Sequence, residues 1–269
     1  MNSLSRRKFL KRSVLGTIGF LFADAFWFEK HFIDWNSHEL ELSSDKINIL
    51  QISDLHLRKL SHLHKQIADK INSRHPDILL FTGDSIDERQ SLELLDQFLK
   101  LIDQEVPKYA ILGNWEYWGN VDIPTLKQVY SKHGCQLLIN ENATINIRNT
   151  TLSLIGIDDY VGGNADFNKA TEQLANSDIK VVMTHCPAHS DIIYQQKNEL
   201  NLDLVLCGHT HGGQFNFFGW TPFKPQGSGR YLKGWYTDKG LRTYVSRGVG
   251  TSVLPFRFGS RAEIAEFIL

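Results

Sequence analysis

The chain has 269 residues, of which 42% are apolar, with 29 lysines and arginines against 30 aspartates and glutamates. A chain of this length and composition can bury a full hydrophobic core as one large domain, which excludes an intrinsically disordered protein. The formal net charge of -1 provides no broad positive field and argues against a nucleic-acid-binding protein.

The N-terminal segment places positive charge before a short apolar run. Its key positions are Arg6, Arg7, Phe9, Leu10 and Lys11. The pattern Ser-Arg-Arg-x-Phe-Leu-Lys resembles a twin-arginine export signal, which the twin-arginine export machinery recognises on folded proteins. The uncharged run over 14–23 is about ten residues long, which is too short for a stable membrane-spanning helix. We therefore expect an exported protein of the periplasm, the cell envelope or the outer face of the cytoplasmic membrane.

The fate of this segment has more than one interpretation. The stretch "ADA" at 23–25 would allow cleavage, but aromatic residues continue beyond it in "FWFEKHFIDW". A retained anchor, or a segment lying in the membrane interface, therefore stays open, as does a basic start of a cytosolic protein. We expect residues 1–45 to form a twin-arginine signal or a membrane anchor together with a connecting segment. We expect residues 46–269 to form the folded domain.

Beyond residue 45, apolar runs alternate with amphipathic helices. The first predicted elements are strand 47–52, helix 60–71, strand 78–81, helix 92–102 and strand 109–112. Then follow a hairpin from "TINI" and "TLSLIGI", a strand in "IKVVMTH", helix 188–196, and strands in "LDLVLCGHTH", "RTYVSRG" and "EIAEFIL". This alternation predicts an α/β fold with a largely parallel sheet covered by helices.

Five of the apolar runs end in residues whose side chains can bind metals. These residues are Asp54, His56, Asp84, Asn114, His185, His209 and His211. In parallel α/β sheets, the carboxyl ends of the strands form the edge at which ligands bind. A single polar residue there is usually a turn former or a helix cap, but seven together predict a metal site.

The chemistry of this set favours a pair of metals. Two carboxylates, four imidazoles and one amide oxygen suit two divalent transition-metal ions, Mn, Fe or Zn, better than Mg or Ca. If one carboxylate bridges, the seven residues provide four bonds to each ion. Paired metals can generate a bridging hydroxide and hold a phosphoryl group for in-line attack. The set therefore predicts a dinuclear phosphohydrolase.

The order of the motifs resembles the calcineurin-like metallophosphoesterase superfamily from about residue 46 onward. The motifs are Asp-x-His, Gly-Asp-x-x-Asp, Gly-Asn, a lone His and Gly-His-Thr-His. The resemblance implies a four-layer αββα sandwich. It implies one metal held by Asp54, His56, Asp84 and His211. It implies a second metal held by Asp84, Asn114, His185 and His209, with Asp84 as the bridge.

Longer stretches resemble one branch of that superfamily. "GHTHGGQ", "GRYLKGWY" and "SRGVGTSVLPFRFGS" are similar to the bacterial twin-arginine-exported phosphodiesterases of YkuE and YaeI type. That branch is related to UDP-2,3-diacylglucosamine pyrophosphatase, which implies a small-molecule or lipid-linked phosphoester from the cell envelope as substrate. The chain has Ala262 before Glu263 where the family usually has proline, a minor departure.

Trp115 is the larger departure from the family pattern. Most members place a histidine directly after the ligand asparagine, whereas an indole cannot donate a proton usefully, so we assign no catalytic acid. Asp87, which would orient that histidine, is expected to be a buried carboxylate without its usual partner, or a substitute acid. A leaving group that is already stable needs less protonation. We therefore expect phosphodiester or pyrophosphate bonds as targets, with phosphomonoesters as the alternative.

Several other residues receive simpler expectations. His62 and His64 lie on a predicted helix, where positions i and i+2 face different ways, so we expect both to be exposed to solvent. His189 is expected to be a solvated helix residue outside the metal site. Lys224 and Arg230 are weak candidates for contacts with a substrate phosphate.

The stretch "FNFFGWTPFKP" holds five large aromatic residues. It predicts either a loop that contacts a lipid surface or core beneath a long connection. Two further functions therefore remain beside the enzyme: a non-catalytic metal-binding protein, which Trp115 favours, and a lipid-surface binding protein, which this loop favours.

Replacement of Arg6 and Arg7 by lysine is expected to retain the protein in the cytoplasm, because the export machinery recognises the arginine pair. Cell fractionation with immunoblotting measures the distribution. A variant with Lys8→Arg and Lys11→Arg preserves the pair and serves as the control. Unchanged export of the lysine variant would show that the signal is of another kind.

Overall fold

Two six-stranded sheets form the centre of the protein in a computed structural model that describes residues 6–197, 200–217, 219–238 and 240–269. The strands are β1 Asp34–Glu39, β2 Asn48–Ile52, β3 Ile78–Thr82, β4 Lys108–Ile111, β5 Cys135–Leu137, β6 Glu141–Ile147, β7 Thr150–Gly156, β8 Ile179–Met183, β9 Leu204–Cys207, β10 Gly234–Asp238, β11 Leu241–Val245 and β12 Glu263–Ile268. The helices are α1 Arg6–Ala23, α2 Glu29–His31, α3 His62–Arg74, α4 Leu92–Leu99, α5 Asn114–Trp118, α6 Ile123–Lys132, α7 Phe167–Ala170 and α8 His189–Gln196.

Parallel strands occupy the middle of both sheets. The first sheet has the order β1-β12-β2-β3-β4-β5, with β2 to β5 parallel and β12 antiparallel to β2. The second has the order β10-β11-β9-β8-β7-β6, with β11, β9, β8 and β7 parallel. Parallel neighbours end at the same edge, so the segments that follow β2, β3 and β4 lie side by side, as do those that follow β8 and β9.

The two sheets pack against each other and each carries helices on its outer face. Alternation along β3 shows the arrangement, because Leu79 and Phe81 join the core beneath α3, α4 and α6. Ile78 and Leu80 join the core between the sheets. A third core lies between the second sheet and helices α7 and α8. The predicted four-layer αββα sandwich is thus confirmed, and β3 is apolar on both faces, as is typical of a buried parallel strand.

The N-terminal boundary differs from the expectation of a domain that starts at residue 46. β1 pairs in parallel with β12 along its whole length, from Asp34 opposite Glu263 to Glu39 opposite Ile268. β1 has the polar sequence DWNSHE and lies at the edge of the sheet. It has no apolar run, which is why its pattern did not predict a strand. Within the described residues, no helix combines the length and apolar character that a membrane crossing requires.

His64 is not exposed as expected, although His62 is. The Nδ1 atom of His64 accepts a hydrogen bond from the backbone N–H of Ser61 at 3.1 Å. Burial lowers the pKa of His64 to about 4, so the ring is neutral and caps the start of α3. His189 lies outside the metal-ligand clusters but is buried, with its ring stacked 5.1 Å from that of Tyr160.

His64→Ala is expected to lower the free energy of unfolding by about 1 kcal/mol, the usual contribution of a helix cap. The exposed control His62→Ala is expected to change it by less than about 0.5 kcal/mol. Because burial lowers the pKa of His64 from 6.5 to about 4, its contribution is full above pH 6.5 and is lost as the pH falls through 4. Urea unfolding at pH 8 and pH 4 measures both effects; equal losses in the two variants would contradict the cap.

Candidate metal centre

A first group of three buried ligating side chains comes from both sheets. Asp54 and His56 follow β2, and His211 follows β9. The Nε2 atom of His211 lies 3.5 Å from Oδ1 of Asp54 and 3.0 Å from Nε2 of His56. Two imidazole nitrogens and a carboxylate oxygen at such separations can share one cation.

A second group, Asp84, His185 and His209, lies beside the first. Oδ2 of Asp84, which follows β3, is 3.1 Å from Nε2 of His185 and 3.6 Å from Nε2 of His56. The side-chain oxygen of Asn114 is 2.8 Å from Nδ1 of His209. Asp84 therefore stands between the two groups, at the position of a bridging ligand. The structure brings all seven predicted residues together.

Hydrogen bonds on the far side of the rings orient two of the imidazoles. Nδ1 of His185 donates to the carbonyl of Thr82 at 2.8 Å, and Nε2 of His209 donates to the carbonyl of Gln226 at 2.7 Å. Since each carbonyl can only accept, the lone pair of each ring must face the cluster. Burial, and then the charges of His56 and Arg257, lower the pKa of His211, which favours the neutral form that binds metals.

Asp87 orients His56 in the same way. Its Oδ1 accepts from Nδ1 of His56, and its Oδ2 accepts from Nε of Arg58 at 2.5 Å. Burial raises the pKa of Asp87, but these two partners outweigh it and lower the pKa overall. Asp87 is buried, as expected, and Trp115 stands where its usual histidine partner was expected. Its carboxylate instead pairs with His56 and Arg58, because neighbouring β2 and β3 place their loops together.

Glu116 ties the loops of the ligands to each other. Its carboxylate accepts from the backbone N–H groups of Gly113 at 2.9 Å, Ser85 at 2.7 Å, and also Asp84 and Ile86. Burial, and next the charge of Asp84, raise the pKa of Glu116 to about 7. The four N–H donors act in the opposite direction and favour the carboxylate. This network positions Asn114 at the start of α5.

The ligand loops have strained backbones. Positive φ angles occur at Asp54 (53°), His56 (44°), Asp84 (52°), His209 (75°) and His211 (51°). Residues other than glycine rarely adopt this conformation, which costs on the order of 1 kcal/mol each. Gly208 is needed for close approach, because a Cβ there would lie 1.9 Å from Oγ of Ser53. Such strain at adjacent ligands is typical of functional sites.

These residues fit two divalent transition-metal ions. The Nε2 atom of His185 is buried and makes no hydrogen bond within the described part of the chain, although Oδ2 of Asp84 lies 3.1 Å away. A buried polar nitrogen without a partner is costly, and a cation beside Asp84 would satisfy it. The mixed nitrogen and oxygen donors agree with Mn, Fe or Zn.

Arg257 is a supporting residue that the sequence analysis did not single out. It is fully buried, and it donates to the carbonyls of Gly248 and Ser260 at 3.0 Å each. The Nη2 atom of Arg257 also lies 3.2 Å from Nδ1 of His211. Burial lowers its pKa to about 10. The only signal in the sequence is an arginine within the aromatic segment "PFRFG".

The two groups of ligating side chains lie at a cavity of about 490 Å³. Asp84, Asn114, His209 and His211 line its floor, while Trp115, Trp118, Phe215, Phe223, Lys224, Val253 and Leu254 are among the other lining residues. The ring of Trp115 stands at 87° to that of His56, 5.9 Å away. The position where the family carries a histidine is thus part of an apolar wall.

The two candidate phosphate contacts have different surroundings. Lys224 is exposed at the cavity. Arg230 lines a separate hollow, where it pairs with Asp191 at 3.1 Å and with Asp238. We therefore retain Lys224 as a candidate and not Arg230, because two carboxylates already neutralise its guanidinium.

Asp87→Asn is expected to weaken Mn²⁺ binding by about 10- to 100-fold, the usual effect of removing a partner that orients a metal-binding histidine. Glu88→Gln makes the same chemical change at the exposed neighbouring position and should leave the affinity unaltered. Calorimetric titration of the metal-depleted proteins measures the difference. Equal affinities would show that His56 does not depend on Asp87.

Known proteins resemble this chain over much of its length. The profile of the calcineurin-like phosphoesterase family matches residues 47–213. The uncharacterized metallophosphoesterase YkoQ of Bacillus subtilis is 31% identical over 229 residues, which cover 81% of this chain and 82% of that protein. The phosphodiesterase YaeI of Escherichia coli is 27% identical over 277 residues, which cover 97% of both.

Solved structures show the same fold at low sequence identity. The sulfate thiohydrolase SoxB of Thermus thermophilus has a TM-score of 0.51 at 10% identity, over 84% of this chain and 57% of that one. A 5'-nucleotidase precursor from the same organism has a TM-score of 0.50 at 13% identity, over 83% and 54%. Because the family profile matches more than half of this chain, the chain belongs to the calcineurin-like phosphoesterase family.

Proposed function

We propose that the protein is a dinuclear phosphohydrolase that cleaves a phosphodiester or pyrophosphate bond in a small-molecule or lipid-linked substrate. The observation that carries this proposal is the convergence of seven buried ligating side chains in two adjacent groups, four of which line the floor of one cavity. Two divalent ions bound there would supply a hydroxide nucleophile and neutralise the oxygens of the phosphoryl group.

The seven predicted ligands would hold the two ions as follows. Asp54, His56, Asp84 and His211 would hold one ion. Asp84, Asn114, His185 and His209 would hold the other. Burial raises the pKa of Asp84, but the charges of His185 and His56 outweigh it and lower the pKa to about 2, so the shared carboxylate stays ionised. Lys224, which is exposed and lines the cavity, would attract a substrate phosphate.

The apolar wall of the cavity supports the assignment of the bond. Trp115 and Trp118, with ring centroids 5.8 Å apart, offer no proton to a leaving group. A nucleotide, a pyrophosphate or an aryl phosphate leaves without one more readily than an alkoxide. The same indoles provide a surface for an apolar part of the substrate, which favours a lipid-linked compound of the cell envelope. Export by the twin-arginine machinery would bring the protein to that compartment.

Asp84→Asn is expected to reduce hydrolysis of bis-p-nitrophenyl phosphate with Mn²⁺ by at least about a hundredfold, because charged stabilisation of the phosphoryl group is lost. Bound metal, measured by elemental analysis, should fall as well. Asp69→Asn, at an exposed position on α3, is the control. A purified wild-type protein that holds no transition metal and gains no activity with Mn²⁺ would refute the proposal.

Trp115→His is expected to increase cleavage of alkyl leaving groups at least about tenfold relative to aryl ones, since it introduces a proton donor beside His56. Trp118→His places the same group elsewhere in the cavity and should not change the ratio. Rates for a series of phosphodiesters, plotted against the pKa of the leaving alcohol, give the measurement. An unchanged slope in Trp115→His would mean that proton donation does not limit this enzyme.

A further inference from the structure

Large apolar side chains surround the mouth of the cavity and face solvent. We call Trp118, Phe223, Val253 and Leu254 the apolar rim, since all four line the cavity. Phe223 is 77% exposed and Val253 is 80% exposed. Soluble monomeric proteins rarely expose apolar surface that is grouped in this way. The rim therefore requires a partner that covers it.

The aromatic loop extends this surface. Backbone hydrogen bonds of 2.9 and 3.0 Å between Phe217 and Trp220 form a tight turn, from which both rings protrude. Phe215 lies deeper and stacks 5.4 Å from Phe258, whereas Phe218 lies outside the described residues. Of the two interpretations that the sequence left open, the exposed rings favour a loop that contacts another surface.

Positive charges stand immediately beside the rim. Nζ of Lys30 donates to the carbonyl of Pro255 at 3.0 Å, so a cation lies beside Val253 and Leu254. Arg58 reaches the same loop, where its Nη2 donates to the carbonyl of Ser252 at 3.2 Å, but its charge is paired with Asp87. Lys224 directly follows Phe223. Within the described ranges, neither Lys30 nor Lys224 forms an ion pair with a carboxylate.

The N-terminal segment joins the domain at the same place. The backbone N–H of Arg257 donates to the carbonyl of Ala25 at 3.0 Å, and the carboxylate of Glu29 accepts from the N–H groups of Gly259 and Ser260 at 2.8 Å each. Helix α1, which precedes this contact, exposes both basic and apolar side chains. They are Arg6, Arg7, Lys8, Phe9, Leu10, Lys11, Arg12, Val14 and Leu15. The segment that follows α1 is therefore anchored next to the loop that carries Val253 and Leu254.

We propose that the apolar rim docks the protein on an anionic lipid bilayer, with the cavity facing the lipid headgroups. Exposed apolar side chains would enter the boundary between headgroups and acyl chains, while the flanking cations contact anionic headgroups. Lys30 and Lys224 beside the rim, which form no ion pair among the described residues, favour an anionic lipid surface over a second copy, which would present the same positive charges. The inference rests on the proposed function for one point, that the cavity which faces the bilayer is the catalytic one.

Co-sedimentation of the full chain with sucrose-loaded vesicles tests the apolar contribution. Wild-type protein is expected to bind vesicles of equal parts phosphatidylglycerol and phosphatidylcholine. The double variant Phe223→Asp, Val253→Asp should bind the vesicles at least about tenfold more weakly, because the apolar contact with the lipid is lost. Val253→Ile keeps an apolar side chain and should bind as wild type does. Since all variants retain α1, any difference belongs to the rim.

The charge contribution has a matched pair of variants. Lys224→Glu is expected to weaken binding to the anionic vesicles roughly fivefold or more, and pure phosphatidylcholine should bind the wild type weakly. Lys100→Glu makes the same change at an exposed residue just after α4, on the side of the sheet where β4 begins, and should have no effect. The proposal is overturned if wild type binds neither vesicle, or if the double rim variant sediments as wild type does.

Two further measurements separate this proposal from its alternatives. Asp84→Asn should lose hydrolysis of bis-p-nitrophenyl phosphate yet sediment with vesicles as wild type does. An inactive wild type that still binds vesicles through the rim would refute only the proposed function, and an active one that binds none would refute only the docking. Light scattering that reveals a dimer abolished by the rim substitutions would assign the surface to a second copy and overturn the lipid proposal.

Discussion

The metal centre depends on one carboxylate that stays ionised between imidazoles from both groups. Asp84 lies 3.1 Å from His185 and 3.6 Å from His56, so it is the one among the seven residues that stands between the two halves. Asp84 and these two histidines follow three different strands, β3, β8 and β2, which belong to two sheets. The centre is therefore complete only when the two sheets pack at the correct distance, which makes the core between them a condition of the chemistry.

Building this centre is unfavourable by itself, and the surrounding structure compensates. Five ligands adopt left-handed backbone conformations, and a guanidinium is fully buried behind His211. Hydrogen bonds to Glu116, Asp87 and Arg257 hold the loops in that state. Burial of apolar side chains in three separate cores offsets the free-energy cost of this strain. Supporting residues of this kind do not touch a substrate, but the positions of the ligands depend on them.

The departure at Trp115 and the apolar rim belong to the same surface. Trp115 forms the inner wall of the cavity, Trp118 links it to the mouth, and Phe223 and Val253 continue it into solvent. The position at which the resemblance led us to expect a histidine is thus part of an apolar path from the buried ligating side chains to the exterior. This path is consistent with the substrate that we propose, in which a phosphoryl group lies next to an apolar part.

The sequence by itself determined the ligand types, the α/β class and most central strands, because these follow from periodicity and from polar residues placed just after apolar runs. The four-layer αββα arrangement was implied only by the family resemblance. The edge strand β1 lacked that signal. Which group each ligand joins was implied only by resemblance. The partner of Asp87, the capping role of His64 and the burial of Arg257 were decided by tertiary structure alone. Each depends on segments brought together from separate parts of the chain or on local packing, and side-chain spacing along one segment carries no information about such contacts.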